Sequence, residues 1–483
     1  METNEQLKIV LLHETEQAML QMIDQLQTIE EGDVQTLEQS VLTACLCLGR
    51  SVMEHVLTHA AEQAERPARR DGECGHRQRL VGMRPKHLHT LMGKVTMRRA
   101  YYQCLVEAEE EHSAQCSHGQ APFDQVWGPL TGRTSPGVQK LLGKLVARMT
   151  LAEAVETFSS ILPLPMSERQ ALNLIQPVGE ALRAQEDQQV QALFEQAAHK
   201  ETHPSEQSSA LGLPIRRLYI ETDGVTARLR RGSVPMEEAE AKGKADVYRE
   251  IKVGAVFEGR PGRERSELVP GVFLDEPGPI KYLARRLSAE AFGHFLYALA
   301  HRCGLDRAQE VVILGDGAHW IRRLAEGHFP QAVHIVDLYH AREHVWKVAN
   351  AVHGPATPQG AAWAKAADEL LTHGKIEELV QLIEQLPAIP AEPGASRSIP
   401  HIEADYFRSN AERMRYPAFR AKGMHIGSGI AEAACKTVVS VRAKRSGMRW
   451  TPDGLDAVLA LRTCVLNQSY DPFWDPSEPL LAA

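Results

Sequence analysis

The 483-residue sequence has no uninterrupted run of eighteen apolar residues, so no segment is expected to cross a membrane. Its first stretch, "METNEQLKIVLLHETEQ", has no basic lead into an apolar core and cleavage site; a signal peptide is not expected, and the expected location is the cytoplasm. None of the eight cysteines (Cys45, Cys47, Cys74, Cys104, Cys116, Cys303, Cys435, Cys464) forms a Cys-x-x-Cys pair. Scattered through a long chain, they suit reduced thiols or a metal site better than a disulfide framework. Positive charge is not in excess either: the formal net charge of -8 argues against a uniformly basic coat, although it does not constrain a local patch. With 43% hydrophobic residues there is material for several cores, and two to four domains are expected.

Residues 1–65 carry apolar positions at helical spacing among many Glu and Gln, and predict two amphipathic helices for packing or oligomer contact. Residues 66–130 change to a basic, β-prone texture, "RPARRDGECGHRQRLVGMRPKHLHTLMGKVTMRRAYYQCL", whose charge fits contact with a DNA backbone. Cys74, His76, Cys104, Cys116 and His118 fall in this module, and thiolate with imidazole is what tetrahedral zinc prefers. Their spacing departs from paired knuckles, so two outcomes stay open: a zinc site, or a degenerate ribbon that folds without metal. In residues 134–198, Thr150 precedes Glu153 and Ser167 precedes Gln170, each a capping-box pattern opening an amphipathic run. With the preceding "SPGVQKLLGKLVARM" they predict three helices with a helix-turn-helix-like corner for DNA. Residues 199–214, "HKETHPSEQSSALGLP" without apolar periodicity, read as a linker.

The run "RRLYIETDGVTARLRR" predicts a short strand ending in Asp223-Gly224, followed by two further β-runs, a helix, the strand "EVVILGDGAHWI" that again ends in Asp-Gly at Asp316-Gly317, a second helix and the strand "AVHIVDLYH". That is the element order of an RNase H-like α/β sheet. Asp-Gly at a strand end is by itself a common turn signal. Two of them on neighbouring strands are also what two-metal phosphodiester chemistry requires, since carboxylates from different elements must converge on Mg²⁺. Residues 215–345 and 425–470 are therefore assigned to this core, with 346–424 as an α-helical insertion.

In "HIGSGIAEAACKTVVSVRAKRSGMRW", residues 425–450, Glu432 is the one acid, and Lys436, Arg442, Lys444, Arg445 and Arg449 follow it. A metal-binding glutamate at a helix start, with cations on and after that helix, would place DNA phosphates beside the metals. The plainer alternative is a solvated basic helix whose first-turn acid suits the helix dipole.

These segments, together with "VDLYHAREHVW", "YFRSNAERMRYPAFRAKG" and "RRAYYQC", resemble the bacterial insertion-sequence transposases of the DDE class in the Kra branch, distantly related to Mutator-like transposases. The resemblance runs from about residue 70 to the C-terminus. It implies an RNase H-like catalytic core with Asp223, Asp316 and Glu432 as the triad, two Mg²⁺ or Mn²⁺ ions, and double-stranded DNA, both element ends and target, as partner. It further implies a homo-oligomer on DNA at the bacterial nucleoid. Asp337 and His340 are similar to the Asp/Cys-x-x-His motif that follows the second acid in Mutator-like relatives, where they would support the site or contact DNA. The family's tidier cysteine knuckles are missing here, which bears on zinc and not on the triad. Two other readings remain: a DNA-binding regulatory or domesticated protein without recombination activity, and an RNase H-like nuclease that cuts without joining.

Overall fold

A computed structural model describes residues 2–26, 34–72, 75–105, 119–126, 132–202, 213–230, 247–390 and 397–475. They form two compact units, Met1–Val178 and Gly179–Ala483, divided within one helix, Glu168–Thr202.

The first unit opens with helices Glu2–Leu26 and Val34–Gln63. By length and composition the second could cross a membrane, which the broken apolar run had not suggested. In this unit, however, its Leu57 and Ala61 are buried with Leu88, Val95, Met97 and Phe123 of the neighbouring module. That module is an antiparallel sheet of β1 (Arg69–Asp71), β2 (Arg77–Thr90), β3 (Gly93–Cys104) and β4 (Gly119–Gln120), in that order. Asp124 pairs with both Lys86 and Arg99, so part of the basic charge is neutralised internally. Three helices follow. Ser135 caps Pro136–Arg148, and Thr150 and Glu153 form the reciprocal bonds of a capping box on Leu151–Ile161. Ser167 and Gln170 exchange the same pair of bonds at the start of Glu168–Thr202.

The second unit is built on a mixed sheet of β5 (Ile215–Leu229), β6 (Val247–Arg265), β7 (Phe273–Pro277), β8 (Lys281–Arg285), β9 (Ala308–Gly315) and β10 (Val333–Val336). Its order is β10-β9-β5-β6-β7, with β8 also on β6; β10, β9 and β5 run parallel, and the others antiparallel to their neighbours. Two short strands thus share one long partner. Pro277 ends β7 and Gly278-Pro279 follows before β8, and proline cannot donate to a ladder.

Strand β5 is buried on both faces, as expected of a central strand between layers. Leu218 and Ile220 face a cluster with Phe292, Leu296, Leu299 and Leu324, from helices Ala289–Arg302 and His319–His328. Tyr219 faces the opposite cluster with Phe257, Ile335, Val345, Leu379, Phe407 and Ile426. That second layer comes from helices Leu338–His353, Pro358–Thr372, Ile376–Glu384, Ile399–Asn410 and Tyr416–Ala421. The chain is mixed α/β.

Candidate active site

Asp223 lies in β5 and Asp316 one residue beyond the end of β9. The two strands pair in parallel, Glu221 beside Leu314, so continuing the register brings Asp223 level with Asp316. Burial raises the pKa of the Asp223 carboxyl, and the Asp316 charge raises it further, against the Gly224 N–H and the Cys435 thiol that donate to it. Asp316 is fixed by its chain: Oδ1 accepts from the Ala318 N–H at 2.8 Å and its carbonyl accepts from Tyr406 Oη at 3.2 Å. Gly317 turns the backbone here at φ +83°, in the left-handed region that glycine enters without strain.

Glu432 sits in the first turn of helix Gly429–Ala434, which continues as a π-helical stretch, Cys435–Ser440, and a last turn, Val441–Ala443. Such i→i+5 insertions concentrate at functional positions. The Glu432 side chain is 61% exposed and reaches Lys436 at 3.8 Å, one turn on. Two of the three expected carboxylates are therefore brought together, while the third turns to the nearest cation. Among the described residues no group of three His, Cys, Asp or Glu side chains is arranged to hold a metal ion.

The basic residues after Glu432 divide. Lys436, Lys444, Arg445 and Arg449 are exposed. Arg442 departs from the expected DNA-contacting set: it is 1% exposed, its guanidinium lies over the Trp450 ring, and it packs the segment instead of facing solvent. Trp450 in turn pairs by backbone with Arg228 and Arg230, tying the end of this segment to the end of β5.

Asp337 directly follows β10 and is 2% exposed. It caps helix Leu338–His353 through the His340 N–H at 2.8 Å, and takes both the N–H and the hydroxyl of Ser428. Burial alone would raise its pKa, but these bonds and the His340 ring outweigh it and hold the carboxyl at about 2. His340 is pushed up to about 9, chiefly by its bond to Asp337 and further by nearby acids that include Asp316. Asp337 thus anchors the loop before Glu432, and the His340 ring, 3.3 Å from Asp337, stands where the charges of Asp223 and Asp316 reach it.

Glu221, on the same face of β5 as Asp223, was not singled out from the sequence. It is 0% exposed, accepts from the Ala431 N–H at 2.9 Å, and burial pushes its carboxyl up to about 8. In "YIETDG" it looks like an ordinary polar strand position; its burial follows from the Glu432 helix docking on it. Of the zinc candidates, Cys74, Cys116 and His118 lie outside the described residues, and the Cys104 thiol accepts from Gln78 at 3.4 Å. The described cysteines are free thiols. A cavity of about 740 Å³ opens at the opposite end of β5, beside Ile215 and Cys303, away from the carboxylates.

Residues 288–470 match the model of an uncharacterised protein family, UPF0236. The matched stretch holds Asp316, Asp337, His340 and Glu432, and begins after Asp223. No curated protein matches the chain.

Proposed function

We propose that this chain is a DNA transposase of the DDE class, of the Kra branch, that binds the ends of an insertion sequence, cleaves a strand there and joins it to target DNA. The observation that carries the reading is the pairing of Asp223 and Asp316 on adjacent parallel strands, with the Glu432 helix bonded to the same face of β5. Numbering the strands of this unit from β5, the sheet order reads 3-2-1-5-6, with the short fourth strand also on the second; apart from that extra strand, the three antiparallel strands followed by two parallel ones support an RNase H-like reading.

The donor set fits a hard divalent cation: all three groups are carboxylates, and the pKa of Asp223 is raised first by burial and further by the Asp316 charge, which such a cation would offset. Asp223, Asp316 and Glu432 would hold two Mg²⁺ or Mn²⁺ ions. Bound there, the ions lower the pKa of the attacking oxygen and stabilise the leaving one in a phosphodiester displacement. Asp223 and Asp316 would contribute their carboxylates from adjacent paired strands. Glu432, on a docked helix, would supply the third carboxylate, and Lys436, 3.8 Å from it, would meet a phosphate beside it. Lys444, Arg445 and Arg449 extend the exposed basic surface along the strand.

The test is cleavage and strand transfer on duplex DNA carrying the element's own ends, with Mg²⁺ or Mn²⁺, comparing wild type with Asp223→Asn, Asp316→Asn and Glu432→Gln. Joined products that disappear in all three variants support the reading. Cut but unjoined DNA makes the protein a nuclease. Binding of the ends without cutting under either metal favours a DNA-binding regulatory protein.

A further inference from the structure

Three alternate residues on one face of β5 each hold a different point of the chain between His425 and Cys435. Tyr219 Oη accepts from the His425 N–H at 3.3 Å, Glu221 Oε2 from the Ala431 N–H at 2.9 Å, and Asp223 Oδ2 from the Cys435 thiol at 3.6 Å. Glu221 is the middle of the three, and Ala431 directly precedes Glu432.

The start of this helix is not capped in the usual local way. Ser428 occupies the cap position, where a serine hydroxyl ordinarily accepts from a first-turn N–H, but it makes no such bond. Its hydroxyl is given to Asp337 instead, at 2.7 Å. A first-turn donor, the Ala431 N–H, is satisfied by Glu221, 210 residues earlier in the chain. The other oxygen of Glu221, Oε1, is buried without a hydrogen-bond partner among the described residues. A half-satisfied carboxyl in a sealed core opposes stability, and an apolar residue of similar size would fill the same volume without it. What Glu221 supplies in return is a fixed distance: one carboxyl joins the strand two residues before Asp223 to the helix one residue before Glu432.

We propose that Glu221 is a positioning residue, which sets where Glu432 stands relative to Asp223 and Asp316 by fastening the start of its helix to β5. The proposal rests on the reading of these three acids as the metal-binding set. It assigns Glu221 no contact with substrate or metal.

The experiment compares full-length wild type with Glu221→Gln, which keeps an oxygen for the Ala431 N–H, and Glu221→Leu, which keeps volume without an acceptor. Three quantities are read: amide hydrogen exchange in the segment 429–435, Mn²⁺ affinity by titration calorimetry, and the single-turnover cleavage rate beside the DNA dissociation constant. Glu221→Leu is expected to speed exchange in that segment, weaken Mn²⁺ at least about tenfold, and slow cleavage by about 100-fold, the scale of a small misplacement of a reacting group. DNA affinity stays within about twofold, as expected of a residue that touches no DNA, and Glu221→Gln restores all three quantities to near wild type. Wild-type exchange, Mn²⁺ affinity and rate in Glu221→Leu would overturn the proposal, as would failure of Glu221→Gln to rescue. Should Glu221→Leu not fold, Glu221→Asp, one methylene shorter, takes its place; a wild-type rate there is equally fatal. If wild type itself neither cuts nor joins DNA, the transposase reading falls, while exchange and Mn²⁺ affinity still decide whether Glu221 holds the helix.

Discussion

Asp223 and Asp316 stand level on adjacent strands because the sequence interval between them equals the offset at which β5 and β9 pair: Arg217 and Glu310, partners in that ladder, are the same 93 residues apart. Two half-buried carboxylates so placed repel each other, and the repulsion is part of what raises the Asp223 pKa. A divalent cation between them should therefore stabilise the fold. In a thermal melt, Mn²⁺ at about a hundredfold excess over its Kd should add on the order of 2.7 kcal/mol to wild type. The shift should shrink sharply in Asp223→Asn and in Asp316→Asn. A cation shift of equal size in the variants would place the metal elsewhere.

Glu432 predicts the opposite separation of fold and function. Its side chain is 61% exposed and its ion pair with Lys436, at 3.8 Å, joins two solvated groups. Glu432→Gln should therefore leave stability within about 0.5 kcal/mol of wild type, as ordinary surface substitutions do. Strand cleavage should nonetheless be lost. Urea denaturation beside the cleavage assay checks both; a large loss of stability would make Glu432 structural.

The strands that carry the two aspartates were legible from their β-prone, apolar runs; Asp316-Gly317 does follow the end of β9, whereas β5 continues through Asp223-Gly224 to Leu229, paired with β6, so the turn expected there is absent. The face shared by Glu432 and Lys436 was legible too. The role of Glu221 was not, since a carboxyl whose partner lies 210 residues away has no local signature. Arg442 misled for a related reason. Within a run of cations it reads as one more, and only the position of Trp450 shows that this guanidinium is stacked and buried. The π-helical stretch after Glu432 is likewise invisible in the residue pattern, because a sequence read at helical spacing assumes i→i+4 bonding throughout.

The Asp337–His340 pair gives a pH signature. His340 is raised from 6.5 to about 9, so its contribution to stability is complete below about 6.5 and is lost as pH rises through 9. Asp337 is lowered from 3.8 to about 2, so its contribution is complete above about 3.8 and is lost as pH falls through 2. The stability difference between wild type and His340→Gln should be largest near pH 5 to 6 and should fall away toward pH 9. Denaturant titrations at pH 5.5, 7.5 and 9 measure it. A difference that grows with pH would show that His340 is neutral in the folded protein.

Asp275 offers the strongest test of what holds the central strand in place. Arg217, 3% exposed, reaches across the sheet from β5 to Asp275 in β7 on one side and Glu310 in β9 on the other. Tyr219 Oη donates to the same Asp275 carboxylate at 2.7 Å, and Arg216 pairs with it as well. One buried carboxylate thus satisfies two guanidinium groups and a phenol, and its removal leaves charge and donors without a partner inside the sheet. Breaking a buried pair in this way costs about 3–5 kcal/mol. Asp275→Ala should lose that much in urea denaturation, and Asp275→Asn should lose less because the amide oxygen still accepts. The active-site consequence is indirect: Tyr219 also accepts from the His425 N–H at the start of the segment that leads to Glu432. Asp275→Asn should consequently slow cleavage more than its modest loss of stability explains, with DNA affinity unchanged. Equal rates in Asp275→Asn and wild type would show that the Tyr219 contact does not contribute to placing Glu432.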